Sequence, residues 1–110
     1  MFIYLLPYIF NMVYKSRYMT IFDNIKEALL KLHRERPLFS IKEVVVVSGI
    51  NREIVRRVLL VFILYDLISI QGYGGIKIIT LNLEPDEFNK KYEEMIKDLE
   101  RKSFFLFIES

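Results

Sequence analysis

The chain has no cysteine, one histidine, one alanine and one glutamine among 110 residues. Without cysteine there is no disulfide frame, no thiolate zinc site and no cysteine nucleophile. With one histidine there is no histidine pair for a metal; His33 stands alone in a basic, polar run and reads as a surface residue. Glycine is scarce, and three of the four glycines fall at 72, 74 and 75. That cluster is not a phosphate cradle, because neither a Lys-Ser/Thr pair nor a helix onset follows it. Glu93 and Glu94 are adjacent acids in a charged helical stretch and read as solvated. No catalytic pattern, metal site or cofactor site is expected, and the chain does not read as an enzyme. Absence of cysteine with a single glutamine fits a hot habitat. The Ile-, Tyr- and Lys-rich style is similar to that of short proteins of archaea and their viruses.

Charge of one sign is also lacking overall. The net charge is +2, but it is unevenly placed. Residues 20–82 carry nine Lys/Arg against six Asp/Glu, and residues 83–110 carry five against eight. The middle is mildly basic and the tail acidic, which suits nucleic-acid contact by the middle through a weak field.

What is abundant is apolar side chain, 53% of residues, with the excess at both ends. The length supports one domain, and domains this small are often helped by oligomerisation. Residues 1–14 are nearly all apolar, yet too few for a membrane span of about 20 residues, and Pro7 interrupts them. A secretory signal would place positive charge first; here Lys15 and Arg17 follow. Three readings remain: a segment packed on the domain or a partner subunit, an over-long start with Met12 or Met19 as alternatives, or a shallow membrane contact. Lack of targeting signals suggests an intracellular protein.

Residues 20 to about 36 read as a helix. Thr20 and Asp23 resemble a capping box, Ile21, Ile25, Ala28, Leu29 and Leu32 recur on one face, and Pro37 ends it. Four consecutive valines, Val44 to Val47, would alone suggest a strand. Local signals favour a short helix over residues 40–48. Ser40 and Glu43 form a capping box, Phe39 and Val44 occupy the two positions of a hydrophobic staple, and Gly49 supplies a left-handed reversal. Asn51 is a good N-cap for a helix over residues 52–66, with Ile50 and Val55 as a second staple. Residues 59–64 are apolar all round, which predicts burial on most sides. Two alternating runs, 67–71 and 76–81, read as strands around a glycine turn at 72–75. Pro85 opens a last helix to about residue 102. Its acids lie early and its bases late, matching the helix dipole, and Asp98–Lys102 is one of three i,i+4 pairs. Phe88, Tyr92, Met95 and Leu99 form a coiled-coil-like seam, read as core or dimer interface rather than a cofactor site. Residues 104–108 are an apolar tail.

The order helix, helix, turn, helix, strand, glycine turn, strand, helix resembles the winged helix-turn-helix family of DNA-binding regulators. The turn signature falls on Val45, Gly49, Val55 and Leu59; the first of these is usually alanine in the family. The resemblance implies a mostly helical α+β domain over residues 20–82, with a three-helix core and a two-stranded β-wing. It is preceded by an apolar extension (1–19) and followed by a C-terminal dimerisation helix and tail (83–110). It further implies a homodimeric transcriptional regulator of duplex DNA, with Asn51, Arg52, Arg56 and Arg57 early on the helix that enters the major groove. Arg52 and Arg56, four apart, are expected on base edges and Arg57 on phosphate. Lys42 is expected to add a backbone contact, and Gln71, Tyr73 and Lys77 to reach from the wing. The plainer readings are a solvated arginine face and an incidental Tyr73. The rival is a winged-helix protein–protein module that never touches DNA, favoured if Arg52, Arg56 and Arg57 are covered. A membrane-peripheral protein anchored by residues 1–14 is a third reading.

Overall fold

The computed structural model describes residues 2–102, with side chains from residue 19 onward. In chain order these form α1 (Phe2–Glu35), β1 (Phe39–Ser40), α2 (Ile41–Ser48), α3 (Arg52–Leu64), β2 (Ile68–Tyr73), β3 (Ile76–Leu81) and α4 (Pro85–Arg101). The fold is α+β and mostly helical. Its antiparallel sheet has the order β1-β3-β2.

Thr20 does not cap a helix. α1 runs through it without a break, because no glycine or proline stands between residues 15 and 20 to stop helix propagation. Asp23 instead accepts a hydrogen bond from the Tyr92 hydroxyl at 2.6 Å. The expected packing of residues 1–14 concerns side chains outside the described residues, as does the tail at 104–108. Among the described residues, no helix is long and apolar enough to cross a membrane.

The valine run coils. Ser40 and Glu43 cap α2 reciprocally, at 3.3 Å in each direction, satisfying amides that have no partner within the helix. Arg36 also pairs with Glu43. Phe39 and Val44 are both buried. Gly49, at φ 70°, reverses the chain, and Asn51 accepts from the Glu53 amide at 2.8 Å to start α3. At the far end of α3 the Leu67 amide reaches the Phe62 carbonyl and the Asp66 amide the Ile63 carbonyl, both at 3.0 Å. That is a Schellman ending, here with a non-glycine residue, Asp66, at φ 59°.

The hairpin turns on Gly74 and Gly75, both at positive φ, as a two-residue turn of matching twist requires. Gly72 lies within β2, opposite Lys77, and β2 starts at Ile68 rather than 67. β1 is an element the pattern did not predict: two residues cannot show an alternation. It pairs Phe39 with Ile79 and Ser40 with Ile78, tying the start of α2 to the middle of the sheet.

One core joins these parts. Phe62 of α3 meets Phe22 of α1 and Phe88 and Tyr92 of α4, at ring centroid distances of 6.0, 6.3 and 5.8 Å. Such tilted aromatic contacts add about 0.5–1.5 kcal/mol each beyond burial. The Lys26 ammonium sits 4.9 Å over the Tyr92 ring. Burial first, then the bond to Asp23, pushes the Tyr92 hydroxyl far above its ordinary pKa, so it stays a donor.

This packing corrects two expectations. Phe88, Tyr92, Met95 and Leu99 are each at most 1% exposed in the single chain. Of the two readings of this stripe, core or dimer interface, the single chain shows core: Phe88 and Tyr92 pack on Phe62 of α3, and Tyr92 bonds to Asp23 of α1. A heptad-like seam needs an apolar partner, and here that partner is intramolecular. Conversely, residues 59–64 are not buried all round: Leu60 is 60% and Leu64 74% exposed. His33 also departs from a surface reading; it is half-buried and its Nδ1 is buried with no hydrogen-bond partner.

Candidate functional site

The capped starts of α2 and α3 and the hairpin tip converge on one open cleft of about 350 Å³. Ser40, Ile41 and Lys42 come from the start of α2, Arg52 and Arg56 from α3, and Gly75, Ile76 and Lys77 from the hairpin. Each placement has a local cause. The Ser40–Glu43 box fixes where α2 begins, and Lys42 falls in its first turn. Asn51 fixes where α3 begins, which puts Arg52 in the first turn and Arg56 one turn on, along one face. The two-residue glycine turn sets the register that places Lys77 opposite Gly72.

Four cations therefore share the cleft, and among the described residues no acid lines it. The nearest acids in sequence are occupied elsewhere. Glu43 is held by Arg36 and Ser40, and Glu53 lies 3.6 Å from the Arg57 guanidinium. The N-termini of α2 and α3 add partial positive charge from unpaired amides. Such an arrangement attracts polyanions and is built for phosphate or carboxylate groups.

The expected site residues separate into two groups. Lys42, Arg52, Arg56 and Lys77 are brought together, and all four are exposed. Arg57 is exposed but does not line the cleft; it lies about 100° round the helix from Arg56 and pairs with Glu53 in the favourable i,i+4 sense. The Asn51 side-chain oxygen is committed to the cap. Gln71 and Tyr73 lie on the opposite face of the hairpin from Lys77. In an antiparallel ladder, directly paired residues share a face. Gly72 pairs with Lys77, whereas Gln71 pairs with Ile78 and Tyr73 with Ile76. The Tyr73 hydroxyl donates to Gln71 Oε1 at 2.6 Å. The three wing residues expected to act together are thus divided by strand parity, and of the three only Lys77 lines the cleft.

Missed altogether was the continuation of the arginine face. Positions 52, 56, 60 and 64 recur every four residues, and the last two are the exposed leucines. The i,i+4 spacing was the signal that could have found them. No three His, Cys, Asp or Glu side chains among the described residues group closely enough to hold a metal ion.

Comparison with known proteins gives no family: no family model, no curated protein and no solved structure matches the chain significantly.

Proposed function

We propose that this chain is a winged helix-turn-helix protein that binds duplex DNA in a sequence-specific way and acts as a transcriptional regulator. On this reading α2 and α3 are the helix-turn-helix, α3 enters the major groove, and the β2–β3 hairpin is the wing. The observation that carries it is the convergence of Lys42, Arg52, Arg56 and Lys77 on one cleft that no acid lines among the described residues. The rival module reading is favoured where the α3 arginines are covered; among the described residues of the single chain Arg52, Arg56 and Arg57 are exposed.

Arg52 and Arg56 face base edges, where a guanidinium can bond guanine O6 and N7 together. Lys42 and Lys77 flank them and take phosphate. Arg57 reaches phosphate only by exchanging Glu53 for it, an exposed pair of the kind that contributes little. A homodimer would place two α3 helices on half-sites about one helical turn apart, through a surface other than the buried seam of α4.

The test is binding to a random-sequence duplex at several salt concentrations, with chain number per duplex read by light scattering. Two phosphate contacts per chain, from Lys42 and Lys77, with Arg57 as a third, predict a log–log salt slope of about −2 to −3. No binding at low salt would overturn the reading.

A further inference from the structure

Beside the cationic cleft lies a second, apolar groove of about 330 Å³ between α3 and β2. Ile41, Leu59, Leu60, Ile63 and Ile70 line it, and among the described residues Arg56 and Lys77 are its only charged lining residues. Leu60 stands exposed in it, and Leu64, one turn further along α3, is exposed as well. Contiguous exposed apolar surface of this kind, edged by polar residues, marks interaction sites. The charge is of one sign: among the described residues no acidic side chain lines the groove.

We propose that this groove docks an acidic, apolar segment of a partner protein, with carboxylate on Arg56 and Lys77 and large aliphatic or aromatic side chains against Leu60, Ile63 and Ile70. Charge complementarity selects this occupant. DNA satisfies the cations but offers few apolar groups beyond thymine methyls, which leaves the aliphatic floor unused. A second copy of this chain supplies leucines but no acid on the matching stripe, since positions 52, 56, 60 and 64 are two arginines and two leucines. A peptide carrying both acid and apolar residues, seated on a helix-lined groove, satisfies both parts of the surface. Arg56 and Lys77 border both the groove and the cleft. On the DNA reading above, on which this consequence rests, segment and phosphate backbone exclude one another, and the partner releases the protein from DNA.

The test is selection of a random dodecapeptide display library on the full-length chain, followed by fluorescence anisotropy with the best labelled peptide. Enriched peptides should combine at least one acid with two or more large apolar residues. Leu60→Ser and Lys77→Glu should each weaken binding at least tenfold, and unlabelled duplex should displace the peptide. Leu60→Ser should leave duplex affinity within twofold. Failure to enrich, enrichment of peptides without acids, or binding indifferent to both substitutions would overturn the proposal. So would self-association of the wild type that Leu60→Ser abolishes, which assigns the groove to a second copy. Peptide binding without any duplex binding at low salt would sink the DNA reading and keep the docking site; duplex binding with no peptide enriched would do the reverse.

Discussion

α3 and α4 are both amphipathic helices packed on α1, and they treat water differently. α4 buries Phe88, Tyr92, Met95, Ile96 and Leu99 and turns outward Asp86, Glu87, Lys90, Glu93, Glu94, Lys97 and Arg101. Its exterior mixes both signs and is satisfied by solvent. α3 buries Val55, Val58, Leu59, Val61 and Phe62, but its exterior runs from arginines at one end to Leu60 and Leu64 at the other. Water solvates the cationic half, where Glu53 is paired with Arg57, but it does not satisfy the apolar half. The inner faces explain why both helices belong to the fold. Only the outer face of α3 calls for something besides solvent, so function is read there.

The largest effect that can test this contrast lies within α3 itself. Phe62 is fully buried and touches three aromatic rings. Phe62→Ala should cost about 3–5 kcal/mol of stability, against a total of about 5–15 kcal/mol for a domain. Leu60→Ala, two residues away, should change stability by no more than about 0.5 kcal/mol. Urea denaturation measures both. A Leu60→Ala cost comparable to that of Phe62→Ala would show that the exterior of α3 serves the fold, and the contrast would be gone.

Next in size is the functional half of the comparison. On the proposed DNA-binding function, Arg56→Ala should weaken specific binding by about 1–3 kcal/mol, roughly 5- to 150-fold in Kd, with little change in the urea midpoint. Lys90→Ala on the exterior of α4 should leave Kd unchanged within twofold. Equal losses from the two would reduce the interaction to diffuse attraction between a cationic protein and a polyanion.

Short-range chemistry made α2, α3 and their turn legible. Ser40 with Glu43, Gly49 and Asn51 each act within a few residues, so their signals outweighed the strand preference of four valines. The paired strands and the start of α4 at Pro85 were legible for the same reason. What failed depended on distance or on absence. Thr20 had the chemistry of a cap, but nothing before it stopped the helix. The Phe88–Leu99 stripe announced an apolar partner without saying whether it belonged to the same chain. The apolar run at 59–64 predicted burial, while the neighbours that arrive cover one side of it. Within the candidate site, Lys42, Arg52 and Arg56 followed from helix starts. The split between Lys77 and the Gln71–Tyr73 pair followed only from strand register, which the glycine cluster at 72–75 left open by one or two residues.

A smaller effect compares the two left-handed helix endings. Gly49 follows α2 at φ 70° and Asp66 follows α3 at φ 59°. A Cβ placed on Gly49 would meet nothing within 4 Å, so Gly49→Ala incurs backbone strain alone, about 1 kcal/mol after the entropy removed from the unfolded chain is counted. Asp66→Gly relieves that same strain and should be neutral or slightly stabilising. Thermal unfolding of the two variants should therefore move Tm in opposite directions or move only the Gly49 variant. A loss at Asp66 as large as at Gly49 would mean that the Asp66 side chain itself holds the ending of α3.

The smallest effect expected sits where the two helices meet. Tyr65, just past α3, donates to the Asp98 carboxylate of α4, which also receives Lys102 at 3.0 Å and Arg101. The Tyr65 bond first, then those of Lys102 and Arg101, hold the Asp98 carboxyl well below the usual carboxylate range. Burial, then the bond to Asp98, pushes the Tyr65 hydroxyl up to about 12. The signs are opposite. A lowered carboxyl pKa favours the ionised native form, so the Asp98 contribution is present above about pH 4 and fades as pH falls through its depressed native value. A raised phenol pKa favours the protonated native form, so the Tyr65 contribution is complete below about pH 10 and is lost as pH rises through 12. Urea midpoints followed against pH should show Asp98→Asn flattening the acid limb and Tyr65→Phe flattening the alkaline limb. Tyr65→Phe should also soften the acid limb, because it removes the largest cause of the Asp98 shift. Identical curves for wild type and Asp98→Asn between pH 2 and 4 would show that α3 and α4 are joined by their apolar faces alone.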